Sequence, residues 1–167
     1  KVKVEEIEKI RKYMINKLIR GKMIKRYKIR DRYYHVIVDG TGLAASRKRY
    51  NENCLVKNKT DKKGKEYQEY STYVLEAKLV VGEMVFSIGS EFVENIDGNE
   101  TKQDCEIKAF KRLAKRIKDQ YPKLKILISG DALYACKPVI EICKENGWKY
   151  IIPVSYTHLR AHETRRH

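Results

Sequence analysis

The sequence lacks several features that would point to particular classes of protein. It has no signal peptide and no apolar run long enough to cross a membrane, so we expect a cytoplasmic protein without a membrane partner. Its four cysteines form no Cys-x-x-Cys pair and have no histidine at zinc-ligand spacing, which argues against structural zinc. Reduced thiols are the expected state. No internal repeat divides the 167 residues, enough for one domain.

Negative charge is also scarce. Only 22 acidic residues oppose 37 lysines and arginines, and the formal net charge is +15. Nucleic acid is the commonest partner of such a chain, because basic residues that neutralise phosphates release counterions. A merely solubilising basic surface is the alternative, and we favour nucleic acid over it.

The C-terminal tail, residues 154–167, does not continue the pattern of the rest. Residues 154–164 match, codon by codon, the translation of a transposon-end adaptor used in sequencing libraries. We therefore expect the tail to be an artefact, with the natural protein starting before Lys1 and continuing beyond Pro153. Histidines 158, 162 and 167 belong to this tail, so we do not treat them as metal ligands. Without the tail the net charge is still +13, after removal of three arginines and one glutamate.

The spacing of apolar residues predicts a basic helical segment over 1–32, followed by an α/β domain over 33–153. Gly82-Glu83 suits a two-residue hairpin turn, and Thr101 with Asp104 resembles a capping box. The predicted helices are 4–20, about 101–120 and 138–146, and the predicted strands are 33–38, 72–81, 84–93, 125–130 and 148–152.

Two basic stretches have two interpretations each. Residues 22–32 are either a solvated helix face or a segment that contacts phosphates. Residues 43–71 are predicted to be a long loop. Its lysines alternate with Tyr50, Tyr67 and Tyr70, so it either tracks a DNA backbone or is a flexible, solvated insertion.

Two aspartates each follow an apolar strand. Asp39 ends the strand that begins near Tyr34, and Asp131 follows the strand at 125–130. The order of elements, an antiparallel three-strand meander followed by alternating helices and strands, is ribonuclease H-like. In that α/β mixed sheet the fourth strand lies parallel beside the first, about 4.8 Å away. The two carboxylates would then be neighbours and would repel each other without a cation, which predicts a Mg²⁺ site for phosphodiester chemistry.

Four motifs carry a family resemblance over most of residues 4–152. They are Ile37-Val38-Asp39-Gly40-Thr41-Gly42-Leu43, Val74-Leu75-Glu76-Ala77-Lys78-Leu79-Val80, Lys102-Gln103-Asp104-Cys105-Glu106 and Gly130-Asp131-Ala132-Leu133-Tyr134-Ala135. In order and spacing they resemble the DDE transposases of bacterial insertion sequences, in the class named after insertion sequence four.

The resemblance implies that Asp39 and Asp131 are the first two acids of a metal-binding triad, with Mg²⁺ or Mn²⁺ as cofactor. It also implies nicking of DNA by water, attack of the freed 3′-hydroxyl on target DNA, and transposon ends and target DNA as partners. A homodimer and a bacterial, nucleoid-associated protein would go with this activity.

The third acid of the family, a glutamate, comes from a helix after the fifth strand. Glu141 and Glu145 precede that position, and Glu163 lies in the tail. We therefore expect a fold that is incomplete at its C-terminus and a fragment that is catalytically inactive.

Several alternatives compete with this interpretation. Asp39-Gly40-Thr41-Gly42 is similar to the phosphate loop of actin-like sugar kinases, but the length shows no matching ATP-binding half. A phosphatase motif would need a second aspartate two residues away. A simple Asp-Gly turn and a DNA-binding remnant without catalysis are the remaining possibilities. The acids Asp104 and Glu106 are explained by the dipole of the helix that they begin.

Overall fold

One mixed β-sheet organises the chain in a computed structural model that describes residues 3–52, 54–94 and 102–153. The strands are β1 (Tyr34–Ser46), β2 (Leu55–Thr60), β3 (Glu66–Val81), β4 (Met84–Val93), β5 (Ile126–Ser129) and β6 (Lys149–Ile151). The helices are α1 (Val4–Arg20), α2 (Lys102–Gln120) and α3 (Lys137–Glu145), with short 3₁₀ turns at Lys25–Tyr27 and Ala132–Tyr134. None of the described helices is long and apolar enough to cross a membrane.

The sheet has the strand order β2-β3-β1-β5-β6. The first half of the long strand β3 pairs with β2, and its second half, from Tyr73 to Val81, pairs with β4. Strands β1, β3 and β4 form an antiparallel meander. Strands β5 and β6 extend the sheet in parallel from β1. The ribonuclease H-like mixed sheet is thereby confirmed, including the parallel placement of the strand at 125–130 beside the first strand.

The predicted loop over 43–71 is wrong. Strand β1 continues to Ser46, β3 begins at Glu66, and β2 is a sixth strand that the sequence analysis did not predict. These segments form a three-stranded antiparallel arm. Only Leu55 of β2 is buried. Backbone pairing, and not burial of one face, holds the strands of the arm together. Their sequences therefore carry no apolar stripe, and hydrophobic periodicity cannot detect them.

Helix α2 covers one face of the sheet. The buried face of β1 presents Val36 and Val38, which lie opposite Leu79 and Ala77 of β3. Large side chains of α2 that are fully buried pack onto this layer: Phe110, Leu113 and Ile117. Helix α3 contacts α2 and adds Val139 and Cys143 to the same core. Arg116 of α2 pairs with Glu8 of α1 at 2.9 Å, which joins the N-terminal helix to the domain.

The turns and helix ends follow the predicted chemistry. Gly82 has a φ of +62°, as the first residue of the β3–β4 hairpin turn requires. Pro138 lies in the first turn of α3, and Gly147 with φ +70° follows its end. The predicted capping box of Thr101 and Asp104 rests on side chains outside the described residues.

Candidate metal centre

The two predicted site residues lie at the same edge of the sheet. Strands β1 and β5 pair in parallel from Tyr34 with Ile126 to Ile37 with Ser129. Continuing that register by two residues places Asp39 beside Asp131. Adjacent strands are about 4.8 Å apart, and both aspartates are exposed. The prediction that Asp39 ends the first strand is wrong, because β1 continues to Ser46 through its pairing with β3. Asp39 lies within β1 and Asp131 lies just after β5, each two residues beyond the last pair that joins these strands.

The backbone that follows β5 orients the second carboxylate. Asp131 Oδ1 accepts a hydrogen bond from the backbone N–H of Leu133 at 3.0 Å and so caps the 3₁₀ turn. The backbone N–H of Tyr134 donates to the Asp131 carbonyl at 3.2 Å. One carboxylate oxygen is therefore held by the turn, which restricts the rotamers of the side chain.

A hydrogen bond joins β1 and β5 just before the aspartates. His35 Nε2 lies 2.7 Å from Ser129 Oγ, and the histidine tautomer decides which group donates. Because side chains alternate along a strand, His35 and Asp39 lie on the same face of β1. Partial burial lowers the pKa of His35. A neutral imidazole therefore links the two strands that carry the aspartates.

A third carboxylate lies across the sheet from Asp39. Glu76 of β3 is the register partner of Asp39. Its carboxylate pairs with Lys78 Nζ at 3.5 Å, so its charge is already partly balanced. Among the described residues no group of three histidine, cysteine or acidic side chains has the arrangement of a metal site. Two hard carboxylates with open solvent around them fit Mg²⁺, which usually takes one or two carboxylates and keeps its waters.

Beneath the aspartates lie two buried polar side chains whose role the sequence analysis missed. Glu106 is 5% exposed. A Cβ added to Gly40, the neighbour of Asp39, would lie 3.1 Å from its Oε1. Tyr134 is 2% exposed, and its hydroxyl has no hydrogen-bond partner within the described part of the chain. A Cβ on Gly130 would lie 2.9 Å from its ring.

Burial and nearby acidic groups both act on the tyrosine hydroxyl. Burial is the main cause that raises the pKa of Tyr134, and the charges of Glu106, Asp131 and Asp39 raise it further. The phenol is therefore neutral at physiological pH. Glu106 was assigned only to the helix dipole, because its position in the first turn of α2 explained an acid there. One sequence signal could have indicated Glu106 and Tyr134: a glycine stands directly beside each aspartate. A glycine often marks a place where another group packs closely against the backbone.

The other candidates from the sequence lie elsewhere or have local partners. Arg47 stacks on the ring of Tyr67 at 4.4 Å, and the hydroxyl of Tyr70 donates to Gln68 at 2.8 Å. Contact of the arm with a DNA backbone therefore stays a prediction. Glu141 on α3 pairs with Lys137 at 3.7 Å. The histidines of the tail lie outside the described residues.

Comparison with known proteins gives one family match. A family model described as a transposase DDE domain matches residues 30–167. One similar solved structure is a Mos1 transposase paired-end complex with the left transposon end, at a TM-score of 0.42 and 11% identity, covering 94% of this chain and 45% of that one. Another is the catalytic domain of the Mos1 mariner transposase, at 0.33 and 14%, covering 99% and 72%. The chain thus spans less than half the length of the first. No curated protein matches.

Proposed function

The chain belongs to the family of transposase DDE domains, and from that membership we propose that its parent protein cleaves and joins DNA strands in transposition with Asp39 and Asp131 as metal-binding acids. The observation that supports the proposal is the parallel pairing of β1 and β5, because each aspartate follows the last paired residue of its strand by two positions. Membership of the insertion-sequence-four-like class and a bacterial, cytoplasmic location are parts of the same proposal.

The residues of the site have distinct roles in this proposal. Asp39 and Asp131 would hold Mg²⁺ or Mn²⁺, which when bound would supply activation of the attacking oxygen and stabilisation of the leaving oxygen. The turn at Leu133 fixes one oxygen of Asp131. The bond between His35 and Ser129 keeps the register of β1 against β5. Together these contacts preorganise the two carboxylates before DNA arrives.

The proposed reaction has two steps at phosphorus. Water first displaces the 3′-oxygen of a phosphodiester at a transposon end, which leaves a free 3′-hydroxyl. That hydroxyl then displaces a 3′-oxygen in the target strand, so one phosphodiester bond breaks and one forms. Transposon ends and target DNA are the proposed partners, and the net charge of +13 that remains without the tail supports a polyanionic substrate. A homodimer of the parent protein would hold both ends.

Binding of Mn²⁺ tests the assignment of the acids. In a titration followed by electron paramagnetic resonance, we expect the free Mn²⁺ signal to fall with the wild-type chain. The dissociation constant for Mn²⁺ should be at least tenfold higher for Asp39→Asn or Asp131→Asn, because one or two carboxylates supply all the protein ligands of such an ion. Glu83→Gln is the matched control, since it removes one charge from the exposed β3–β4 turn.

Equal Mn²⁺ binding by the aspartate variants and the control would refute the site. Salt-sensitive DNA binding without any specific Mn²⁺ binding would instead favour the DNA-binding remnant.

We also propose that this chain alone does not transfer strands, since its described residues hold no third acid arranged with Asp39 and Asp131. Incubation with supercoiled plasmid and Mn²⁺ should leave the plasmid intact on an agarose gel. Nicking that Asp39→Asn abolishes would overturn the proposed inactivity while supporting the assignment of the acids.

A further inference from the structure

A basic groove lies at the other end of the sheet from the aspartates. Its volume is about 950 Å³, and it lies between the end of α1, the segment 22–32 and the connection from α2 to β5. We define the basic groove by six of its cationic lining residues: Lys22, Lys25, Lys28, Arg32, Lys123 and Lys125. Tyr34 at the start of β1 also lines the groove. Because Tyr34 and Asp39 are five residues apart on the same strand, the groove lies about 17 Å from Asp39 along β1.

The charge of the groove has little internal compensation. Eight lysines and arginines line it against two acids, Asp31 and Asp119. Within the described part of the chain, none of the six defining cations forms an ion pair with a carboxylate. A structural role would have paired them, because like charges that converge on one surface destabilise the fold. Their convergence therefore points to an external anion.

The backbone of the groove is preorganised. Ile29 and Tyr33 exchange two backbone hydrogen bonds, of 2.8 and 3.1 Å, across a tight turn. Within it Arg30 and Asp31 have φ angles of +51° and +52°, in the left-handed region that residues other than glycine seldom adopt. Buried Ile24 anchors the segment to the core. Such a conformation persists only where the surrounding structure holds it, and it is frequent at ligand-binding segments.

Two of the cations are also held in place by aromatic rings. Lys28 Nζ lies 4.8 Å above the ring of Tyr34, and the guanidinium of Arg32 lies 5.3 Å from the ring of Tyr33. Stacking orders these side chains in advance, so less conformational entropy is lost when an anion binds.

We propose that the basic groove binds the phosphate backbone of duplex DNA, at a contact separate from the edge that carries Asp39 and Asp131. The choice of DNA rests on the proposed function. The position rests on the groove itself, where eight cations and only two acids line one depression. Duplex DNA, with one charge per about 1.7 Å of helix axis, is a polyanion that such an excess of cations would bind. The segment 22–32 is then the phosphate-contacting element that its composition allowed.

The test compares two triple variants of equal net charge. The groove variant is Lys25→Gln, Lys123→Gln and Lys125→Gln, which leaves the stacked residues Lys28 and Arg32 unchanged. The control variant is Lys111→Gln, Lys115→Gln and Lys144→Gln, on exposed positions of α2 and α3 outside the groove. Fluorescence anisotropy with a 30-base-pair duplex, in Mg²⁺-free buffer from 50 to 300 mM NaCl, gives the slope of log Kd against log salt. Circular dichroism and thermal unfolding check the fold of both variants.

Each phosphate contact contributes about 0.9 to that slope. We expect the slope of log Kd against log salt to be about 2 to 3 smaller for the groove variant than for the wild type, and its Kd at 100 mM NaCl to be at least tenfold higher. The Kd of the control variant should stay within about threefold of the wild-type value. Equal losses in both variants would show that only net charge matters and would overturn the groove. Absence of salt-sensitive binding by the wild-type chain would instead contradict the DNA partner of the proposed function.

Discussion

Replacement of Gly130 by alanine should couple the stability of the domain to its metal affinity. Gly130 lies between the end of β5 and Asp131. An added Cβ would lie 2.9 Å from Cδ2 of Tyr134 and 3.2 Å from the carbonyl oxygen of Val38. Carbon atoms in ordinary contact are about 3.5 to 4.0 Å apart. The ring or the backbone that carries Asp131 must therefore move by more than half an ångström.

The ring has little room to move. Tyr134 is 2% exposed and packs on Phe110, with 5.8 Å between the ring centroids. Overpacking of this kind costs about 1 to 3 kcal/mol. The loss of glycine flexibility in the unfolded chain offsets about 0.4 to 1 kcal/mol of it. We expect Gly130→Ala to lower the free energy of unfolding by about 0.5 to 2 kcal/mol, and the melting temperature by about 2 to 6 °C.

A double-mutant cycle separates the clash from other effects of the substitution. Urea unfolding followed by circular dichroism is measured for the wild type, Gly130→Ala, Tyr134→Leu and the double variant. The smaller leucine makes room for the new methyl group, so the double variant should be at least about 1 kcal/mol more stable than the sum of the single effects. Mn²⁺ affinity should fall in Gly130→Ala and recover in the double variant, because the displaced peptide precedes Asp131.

Additive effects on stability would refute the contact between Gly130 and Tyr134. A normal Mn²⁺ affinity in a destabilised Gly130→Ala variant would show that the backbone before Asp131 does not set the geometry of the candidate metal centre.

Three further predictions follow from particular side chains. Burial holds the pKa of His35 below its usual range. The contribution of His35 to stability should therefore be present above pH about 6.5 and be lost as the pH falls through the lower pKa of the folded state. His35→Asn should make the urea midpoint depend less on pH between pH 7 and 5, and an unchanged pH profile would contradict the assignment. Burial raises the pKa of Cys143 to about 11, so a disulfide reagent should modify this thiol only after the protein unfolds. The Cys143→Ala variant should therefore have one slowly reacting thiol fewer than the wild type, and an equal number would contradict this reasoning. Glu91, whose side chain is 11% exposed, pairs with Arg116 at 2.6 Å and Arg112 at 3.4 Å; Glu91→Gln should cost about 1 to 3 kcal/mol in urea unfolding, whereas the exposed control Glu83→Gln should cost less than about 0.5 kcal/mol.

Local sequence chemistry was sufficient for much of the fold. The three-to-four spacing of Ile7, Ile10 and Met14 predicted α1 with the bounds that the structure shows. Gly82 and Gly147 marked the turn and helix end where positive φ angles occur. These features could be predicted because each depends on residues within a few positions along the chain.

The arm formed by the ends of β1 and β3 with β2 could not be predicted in that way. Lys57, Asn58 and Lys59 are all exposed, and their strand exists only because Glu69, Gln68 and Tyr67 pair with it across the register. Pairing between distant segments leaves no periodic apolar pattern in either of them.

By itself, then, the sequence determined the order of the elements apart from β2, the basic charge, and the placement of an aspartate after each of two apolar runs. Only the tertiary structure decided what surrounds those aspartates. Glu106 from α2 and Tyr134 from the turn after β5 come to lie beneath Asp39 and Asp131 because two glycines allow close approach there. The basic groove likewise unites residues about 100 positions apart. Both arrangements depend on long-range packing, which a pattern of neighbouring residues does not encode.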